Sequence, residues 1–519
     1  MILHLGEKNM NKYITSPIYY VNGDPHVGHA HTSVMCDILK RCYLMLGHEV
    51  YCTTGVDEHG QKNQKAIEDS GLETQVYLDQ QSKKFYNLFK SLNVGFDYFV
   101  RTTKSFHINA VKKVLNELHG KQLIVKKKYN GYYCEGCEQF KLPRDLDEDG
   151  NCPDHNKPPL ETFEDNYFFR ISKYQDWLID FINTNPDWIK PDFYRVQVLN
   201  MLKEPLEDFC ISRPKERVWH GIEFPFDNEY VTYVWFDALI NYISNIGYPA
   251  DMLRFNKWWP GSIHVMAKDI IKTHCIYWPI ILKALDLEPQ NRCFIHGYWV
   301  GEGGLKMSKS LGNAIDPNKA IELIGREAFR YYMSVTMGKS EAQMSYSLMK
   351  ETYNRDLANN LGNTFYRTAK LVNKYFDGVI PDIAKFENDD LSLVNGIADT
   401  ANSFFMKGND ILEINYLANK ITEMGRAINI HIDTKAPWNM MKEGNAEDKL
   451  SSVLYSCLDA LRIIFEFAYP IMPEISMEVL NRLGLAYDFD TRNTHKFQAG
   501  LLPRGHKLKK VEPLFLRID

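Results

Sequence analysis

The stretch from Lys12 to Thr54 restricts the fold more than any other part of the chain. Lys12-Tyr-Ile-Thr-Ser-Pro-Ile-Tyr-Tyr-Val-Asn22 has the apolar density of a buried strand, and it runs into the turn Gly23-Asp24-Pro25. Val34, Ile38, Leu39, Cys42, Tyr43 and Leu46 then recur at helical spacing until Gly47 closes the segment. A second strand follows at Glu49-Val-Tyr-Cys-Thr-Thr54, with further helices to about residue 118. Strand, turn, helix, strand is the order of a parallel α/β sheet.

That order breaks at 119–220. This stretch holds a Lys126–Lys128 run, spaced cysteines, an acidic loop at Asp145–Asp149 and repeated prolines, and it reads as an insertion with its own small fold. The α/β pattern returns with Tyr230–Trp235 and Ser262–Met266, and beyond residue 354 amphipathic helices joined by short loops predict a bundle. The expected divisions are a first sheet half (12–118), the insertion (119–220), a second sheet half (221–290), a Gly-rich loop and linking region (291–353), the bundle (354–485) and a basic tail folding back on the body (486–519).

A hydrophobic fraction of 45% suffices to bury several cores. No apolar run approaches the ~18–20 residues a bilayer span needs, and the first eight residues are too few and too charged for a secretory signal. Ten cysteines in 519 residues are too sparse for a disulfide scaffold. Cys36, Cys42, Cys52, Cys210, Cys275 and Cys293 stand alone and read as small buried apolar residues. The reading is a soluble cytoplasmic protein with no membrane contact. A net charge of −5 excludes a general DNA coat, which needs a broad basic surface, but leaves room for local binding of a folded RNA.

His26-Val27-Gly28-His29 falls where the first strand meets the first helix. Backbone N–H groups and a helix dipole favour phosphate there, Gly28 lets a base or ribose lie against the backbone, and two imidazoles can donate to developing phosphate charge. Two surface histidines in a turn are the plain alternative. Lys306-Met307-Ser308-Lys309-Ser310, in a loop flanked by Gly301, Gly303, Gly304 and Gly312, supplies two lysines that could close on a triphosphate and neutralise a pyrophosphate leaving group.

Cys134-x2-Cys137 and, fourteen residues on, Cys152-x2-His155 have the spacing of two metal knuckles. Three thiolates and one imidazole make a closed tetrahedral site, so one structural Zn2+ per chain is expected. On a helix from about 355 to 376, Leu357, Leu361, Phe365 and Val372 form an apolar stripe, while Asn359, Asn363 and Arg367 line another face. A polar stripe is usually a solvated face; amides and guanidiniums can also read splayed bases.

The His-x-Gly-His and Lys-Met-Ser-Lys-Ser elements, in this order, resemble the two signatures of the class I aminoacyl-tRNA synthetases. Within that class the chain resembles the methionyl-tRNA synthetase family over nearly its whole length. The residues that carry this are Pro17–Gly23, Gly55-Val-Asp-Glu-His-Gly60, Tyr233-Val-Trp-Phe-Asp-Ala238, Lys268-Asp269 with His274, Ala436-Pro-Trp438 and Pro513–Ile518.

The resemblance implies a Rossmann-like parallel sheet interrupted by a zinc-knuckle insertion and followed by an α-helical bundle. It implies an ATP-dependent ligase that makes methionyl-adenylate from L-methionine and ATP with Mg2+, then charges tRNA(Met). His26 and His29 would contact the phosphates, Gly28 the adenine, Lys268 and Asp269 the nucleotide with Asp269 on the ribose hydroxyls, and Lys306 and Lys309 the transition state. Asp57 and the carbonyl of Ile18 would meet the methionine ammonium. Its side chain would lie among Ile18, Tyr20, Trp235, Ala238, Tyr242 and His274, and an aromatic box suits a thioether. Asn359, Asn363, Arg367 and Trp438 would read the anticodon. Ala267, Leu239 and Tyr277 stand where some members carry Gly, Pro and Phe.

The insertion is too small to house the editing domain of the Leu, Ile and Val enzymes, and the spaced ligands fall outside the site where the cysteine enzyme keeps its metal. A bare nucleotidyltransferase needs neither insertion nor bundle, and intact lysines at 306 and 309 argue against an inactive tRNA-binding module. The chain ends soon after the bundle, which suggests a monomer.

Overall fold

The computed structural model describes residues 11–519 except 137, 142, 154–155, 305–306, 308–314, 337–340, 384–385, 407–412, 441–446 and 490–494, and without the side chains of 129, 130, 139, 144 and 302. Lys306 and Lys309 of the Gly-rich loop, and Cys137 and His155 of the knuckles, thus lie outside the described residues.

Six strands form one sheet in the order Tyr98–Arg101, Val50–Asp57, Lys12–Tyr20, Ser262–Ala267, Arg292–His296, Ile189–Lys190, and every neighbouring pair is parallel. Pro17 has no N–H to give to a ladder. The pairing of the first two strands therefore shifts between Thr15 and Ile18, then resumes with Ile18 opposite Gly55 and Tyr20 opposite Asp57. Gly55 is obligatory here, since a Cβ would fall 2.3 Å from the Val100 carbonyl oxygen.

Strand order runs outward one way from Lys12–Tyr20 and the other way from Ser262–Ala267. Parallel sheets open a crevice at such a reversal, beyond the carboxyl ends of the two strands. The first helix, Val27–Met45, starts at that crevice and buries Val34, Ile38, Leu39, Cys42 and Tyr43 as the spacing predicts. Gly47, at φ 83°, lies just past its end.

The strands Gln139–Lys141, Ile124–Cys134, Leu160–Phe169 and Phe209–Cys210 form a separate antiparallel sheet. Between its last two strands the chain returns to the parallel sheet and adds Ile189–Lys190 at its edge.

The C-terminal region is helical: Asn363–Phe376, Asn388–Met406, Ile414–Lys435, Glu447–Ala468 and Pro473–Arg482. Glu447–Ala468 is buried on every side from Leu450 onward, as a central bundle helix must be. Its charged core is internally matched: Arg462 pairs with Asp459 and Glu466, both at 2.7 Å, with all three side chains buried. One apolar cluster runs from the first helix into this bundle, and a second joins the insertion to the later sheet strands. The last residues run beside the helical turn before Asn363, Tyr353–Gly362, where Tyr353 donates to the Leu516 carbonyl at 2.8 Å and Asn354 to that of Ile518 at 2.7 Å.

Candidate active site

His26 is the N-cap of the first helix. Its Nδ1 accepts the Gly28 N–H at 3.1 Å, and its own N–H reaches Nδ1 of His29 at 3.2 Å, so the two residues cap the helix reciprocally. Both rings use Nδ1 as an acceptor, which leaves the proton of each neutral ring on Nε2. The rings stack at 3.7 Å, and His29 is backed by Tyr19 at 4.6 Å and Phe85 at 5.1 Å. The pair is a preorganised set of donors at the positive end of a helix.

Across the crevice, the strand Ser262–Ala267 ends directly before Lys268 and Asp269. Asp269 is exposed. The Lys268 ammonium pairs with Glu341 at 2.6 Å and lies over the Tyr298 ring at 4.7 Å. Gly28, in the first turn of the helix that follows one strand, and Asp269, directly after the next, therefore follow adjacent parallel strands.

Of the residues named for the side-chain pocket, Trp235, Ala238 and Tyr242 lie on one helix, Val234–Ser244, and share a face by their spacing. Trp235 meets Tyr20 edge to face at 6.3 Å. His274 is carried by a π turn, Thr273–Tyr277, a local distortion often found at functional sites. Its Nδ1–H donates to the Ile270 carbonyl at 2.9 Å, and its Nε2 accepts from the Tyr242 hydroxyl at 2.8 Å. Burial lowers the His274 pKa to about 4, so a neutral imidazole fixes the tyrosine. His264 stacks on Tyr242 at 4.2 Å.

Asp57 ends the second strand, opposite Tyr20 and two residues beyond the Ile18–Gly55 pair. Its carboxyl is buried, and burial, followed by the charges of Asp237 and Glu138, holds its pKa well above the usual range. Such a group gains most from an incoming cation. Asp237 has partners of its own: its oxygens meet His59 Nδ1 at 2.7 Å and His107 Nε2 at 2.6 Å, and His107 Nδ1 meets Ser244 at 2.9 Å. This chain of His59, Asp237 and His107 fixes Gly55–Gly60 against the pocket helix. Sequence reasoning missed it because His107 is remote in the chain and unmarked by any motif.

Cys134 and Cys152 begin two turns of one design. Cys134 pairs with Gln139 and Cys152 with Lys157, and each turn carries a φ of 49° at its fourth residue after the cysteine, Glu138 and Asn156. The second ligand of each pair, Cys137 or His155, falls one position earlier in sequence. Both cysteines are buried. Among the described residues no group of three or more ligands is assembled.

In the bundle, Leu357, Leu361, Phe365 and Val372 are buried and Asn359 and Asn363 exposed, as the stripes predict. The helix is not regular: a π segment, Tyr353–Gly362, precedes the α-helix Asn363–Phe376. Arg367 reaches Asp433 at 2.8 Å and Asn429 at 3.4 Å on the helix Ile414–Lys435. Trp438, 40% exposed, follows the end of that helix.

A model of the family described as "tRNA synthetases class I (M)" matches residues 12–161 and 154–369. The chain is 41% identical to the methionine–tRNA ligase of Clostridium tetani, over 98% of this chain and 79% of that one. It is 37% identical to the ligase of Thermotoga maritima, over 98% and 81%. Its structure is similar to that of Mycobacterium tuberculosis methionyl-tRNA synthetase in complex with methionyl-adenylate, with a TM-score of 0.91 and 31% identity, covering 98% of this chain and 100% of that one. The family model and these relatives each match most of the chain, and the chain belongs to the class I tRNA synthetases of the (M) family.

Proposed function

We infer that the chain is an ATP-dependent ligase that activates L-methionine and transfers it to the 3′ end of tRNA(Met). In the first step a methionine carboxylate oxygen bonds to the α-phosphorus of Mg-ATP, the bond to the β-phosphate breaks, and pyrophosphate leaves. In the second, a terminal ribose hydroxyl attacks the adenylate carbonyl and AMP departs. The observation that carries this reading is the crevice at the strand reversal. There the helix start capped by His26 and His29 follows one strand and Asp269 follows its parallel neighbour.

The first step needs alignment and charge neutralisation more than a general base. His26 and His29 bind the phosphates, Gly28 leaves room for adenine, Asp269 holds the ribose hydroxyls with Lys268 beside it, and Lys306 and Lys309 neutralise the leaving pyrophosphate. Asp57 and the Ile18 carbonyl hold the ammonium, and Ile18, Tyr20, Trp235, Ala238, Tyr242 and His274 enclose the thioether. Asn359, Asn363, Arg367 and Trp438 read the anticodon from the bundle.

The two matching turns support Cys134, Cys137, Cys152 and His155 as holders of one Zn2+. A closed set of this kind adds binding energy to folding and leaves no position for chemistry. The domain limits given above assign catalysis to 12–118 and 221–290, tRNA-stem contact to 291–353 and anticodon binding to 354–485. Among the described residues no helix is long and apolar enough to cross a membrane. We place the enzyme in the cytoplasm as a monomer, for which sedimentation should give a mass near 60.4 kDa.

The test is ATP–pyrophosphate exchange measured with each of the twenty amino acids. Exchange should depend on methionine, and exchange driven as well by another amino acid would overturn the substrate assignment.

A further inference from the structure

Glu138 belongs to the first knuckle turn, directly after Cys137, yet it is 1% exposed and far from solvent chemistry. Its Oε1 accepts the backbone N–H of Lys62 at 2.8 Å. Lys62 is in the first turn of the helix Gln61–Ser70, whose N-cap, Gly60, has no side chain to offer. A carboxylate at a helix start satisfies an orphan N–H and complements the dipole. The insertion thus supplies, from outside, the cap this helix lacks.

The same residue holds a second element. Its carbonyl accepts the hydroxyl of Tyr233, the N-cap of the helix Val234–Ser244. The guanidinium of Arg213 reinforces this contact by lying over the rings of Tyr133, Phe140 and Tyr233 at 4.4, 4.2 and 4.8 Å. The two clamped turns also touch each other: a Cβ on Gly60 would fall 2.9 Å from Val234 Cγ2. One turn leads back three residues to Asp57, and the other leads forward to Trp235, Ala238 and Tyr242. Lys62 itself places its ammonium 5.1 Å from the Tyr20 ring centre.

We propose that Glu138 is a positioning residue of the amino-acid pocket: its carboxylate fixes the turn after Asp57, its carbonyl fixes the start of the Trp235 helix, and the knuckle thereby sets the spacing between the ammonium and side-chain subsites. This rests on the reading that Asp57 and Trp235 hold methionine. It gives the knuckle turn a role in specificity beyond stapling the insertion. The nucleotide end of the crevice is built on other elements, so the effect should be confined to the amino acid.

Methionine-dependent exchange in Glu138→Ala, Glu138→Gln, Tyr233→Phe and Asp57→Asn tests this, with melting temperatures measured alongside. Glu138→Ala should raise the methionine KM on the order of tenfold, the scale of one charge-assisted hydrogen bond, while leaving the ATP KM within about twofold. Glu138→Gln keeps an oxygen for the Lys62 N–H and should recover most of the loss. Tyr233→Phe, which loosens the other half of the clamp, should raise the methionine KM alone and decides the matter if Glu138→Ala does not fold. An unchanged methionine KM in Tyr233→Phe and Glu138→Ala overturns the proposal. So does a parallel change in both KM values and kcat that glutamine does not rescue. Asp57→Asn separates the two readings: if it spares the methionine KM, the ammonium assignment fails; if it raises the KM and the clamp variants do not, only the clamp fails.

Discussion

Arg330, on the helix Arg326–Thr336, donates to Asp37 at 2.6 Å with both side chains buried, and this pair joins the helix that begins at the two histidines to the region that leads into the bundle. The same guanidinium reaches the carbonyls of Ile471 at 2.8 Å, Pro470 at 2.9 Å and Leu92 at 3.1 Å. Burial pushes the Asp37 carboxyl up, but Arg330 and Arg41 outweigh it and hold its pKa below the ordinary value. Removing one partner of a buried pair leaves an uncompensated charge, costing about 3–5 kcal/mol. Arg330→Met should therefore lower the denaturation midpoint sharply, and a midpoint equal to the parent's would show that the pair is not a structural anchor.

Lys309→Ala should slow adenylate formation some 10²–10³-fold, the scale of losing one donor at a developing charge. Single-turnover pyrophosphate release is the measurement. Unchanged kinetics would remove Lys309 from the reaction.

The methionine KM should fall as pH rises from the ordinary carboxylate range toward the raised pKa of Asp57. Asp57 has a raised pKa in the free chain, and an ammonium binds its ionised form, so binding releases a proton below that pKa and becomes independent of pH above it. Asp57→Asn should abolish the slope; a slope that survives the substitution belongs to another group.

Acid should also destabilise the fold. His274 and His296 are buried and His220 half-buried, all three neutral, with pKa values lowered from 6.5 to about 4. The unfolded chain takes up protons first, so their contribution is complete above 6.5 and is lost as pH falls toward 4. Melting temperatures across this window should fall with pH, and His274→Gln should shallow the decline.

Trp438→Ala should weaken tRNA charging while sparing exchange, because its indole is exposed just past the helix that carries Arg367's partner Asp433, and far along the chain from the crevice. Equal loss in both assays would point instead to a packing role.

Much of this architecture is legible in the sequence because local chemistry and tertiary position agree. The helix after Pro25 shows its buried stripe, and His26-Val-Gly-His29 advertises a strand-to-helix junction that the sheet places at the strand reversal. What escapes a linear reading is anything set by distant pairing. Ile189–Lys190, two residues inside the apparent insertion, becomes an edge strand only because Arg292–His296 offers it a free side. The Glu138 cap is equally invisible, since no periodicity links a knuckle turn to Lys62. A run of residues with helical spacing likewise gives no sign that Tyr353–Gly362 winds wider than an α-helix.

That wider winding has a consequence for how this surface tolerates insertions and deletions. A π segment spends extra residues per turn, so the azimuth at which Asn359 projects depends on the number of residues wound before Asn363. Deleting one residue there would let the backbone relax to ordinary pitch and change the angle at which everything upstream meets the downstream helix. Asn359 would swing out of line with Asn363 and Arg367 while the downstream helix kept its place. Length, more than side-chain identity, is the guarded quantity in this segment.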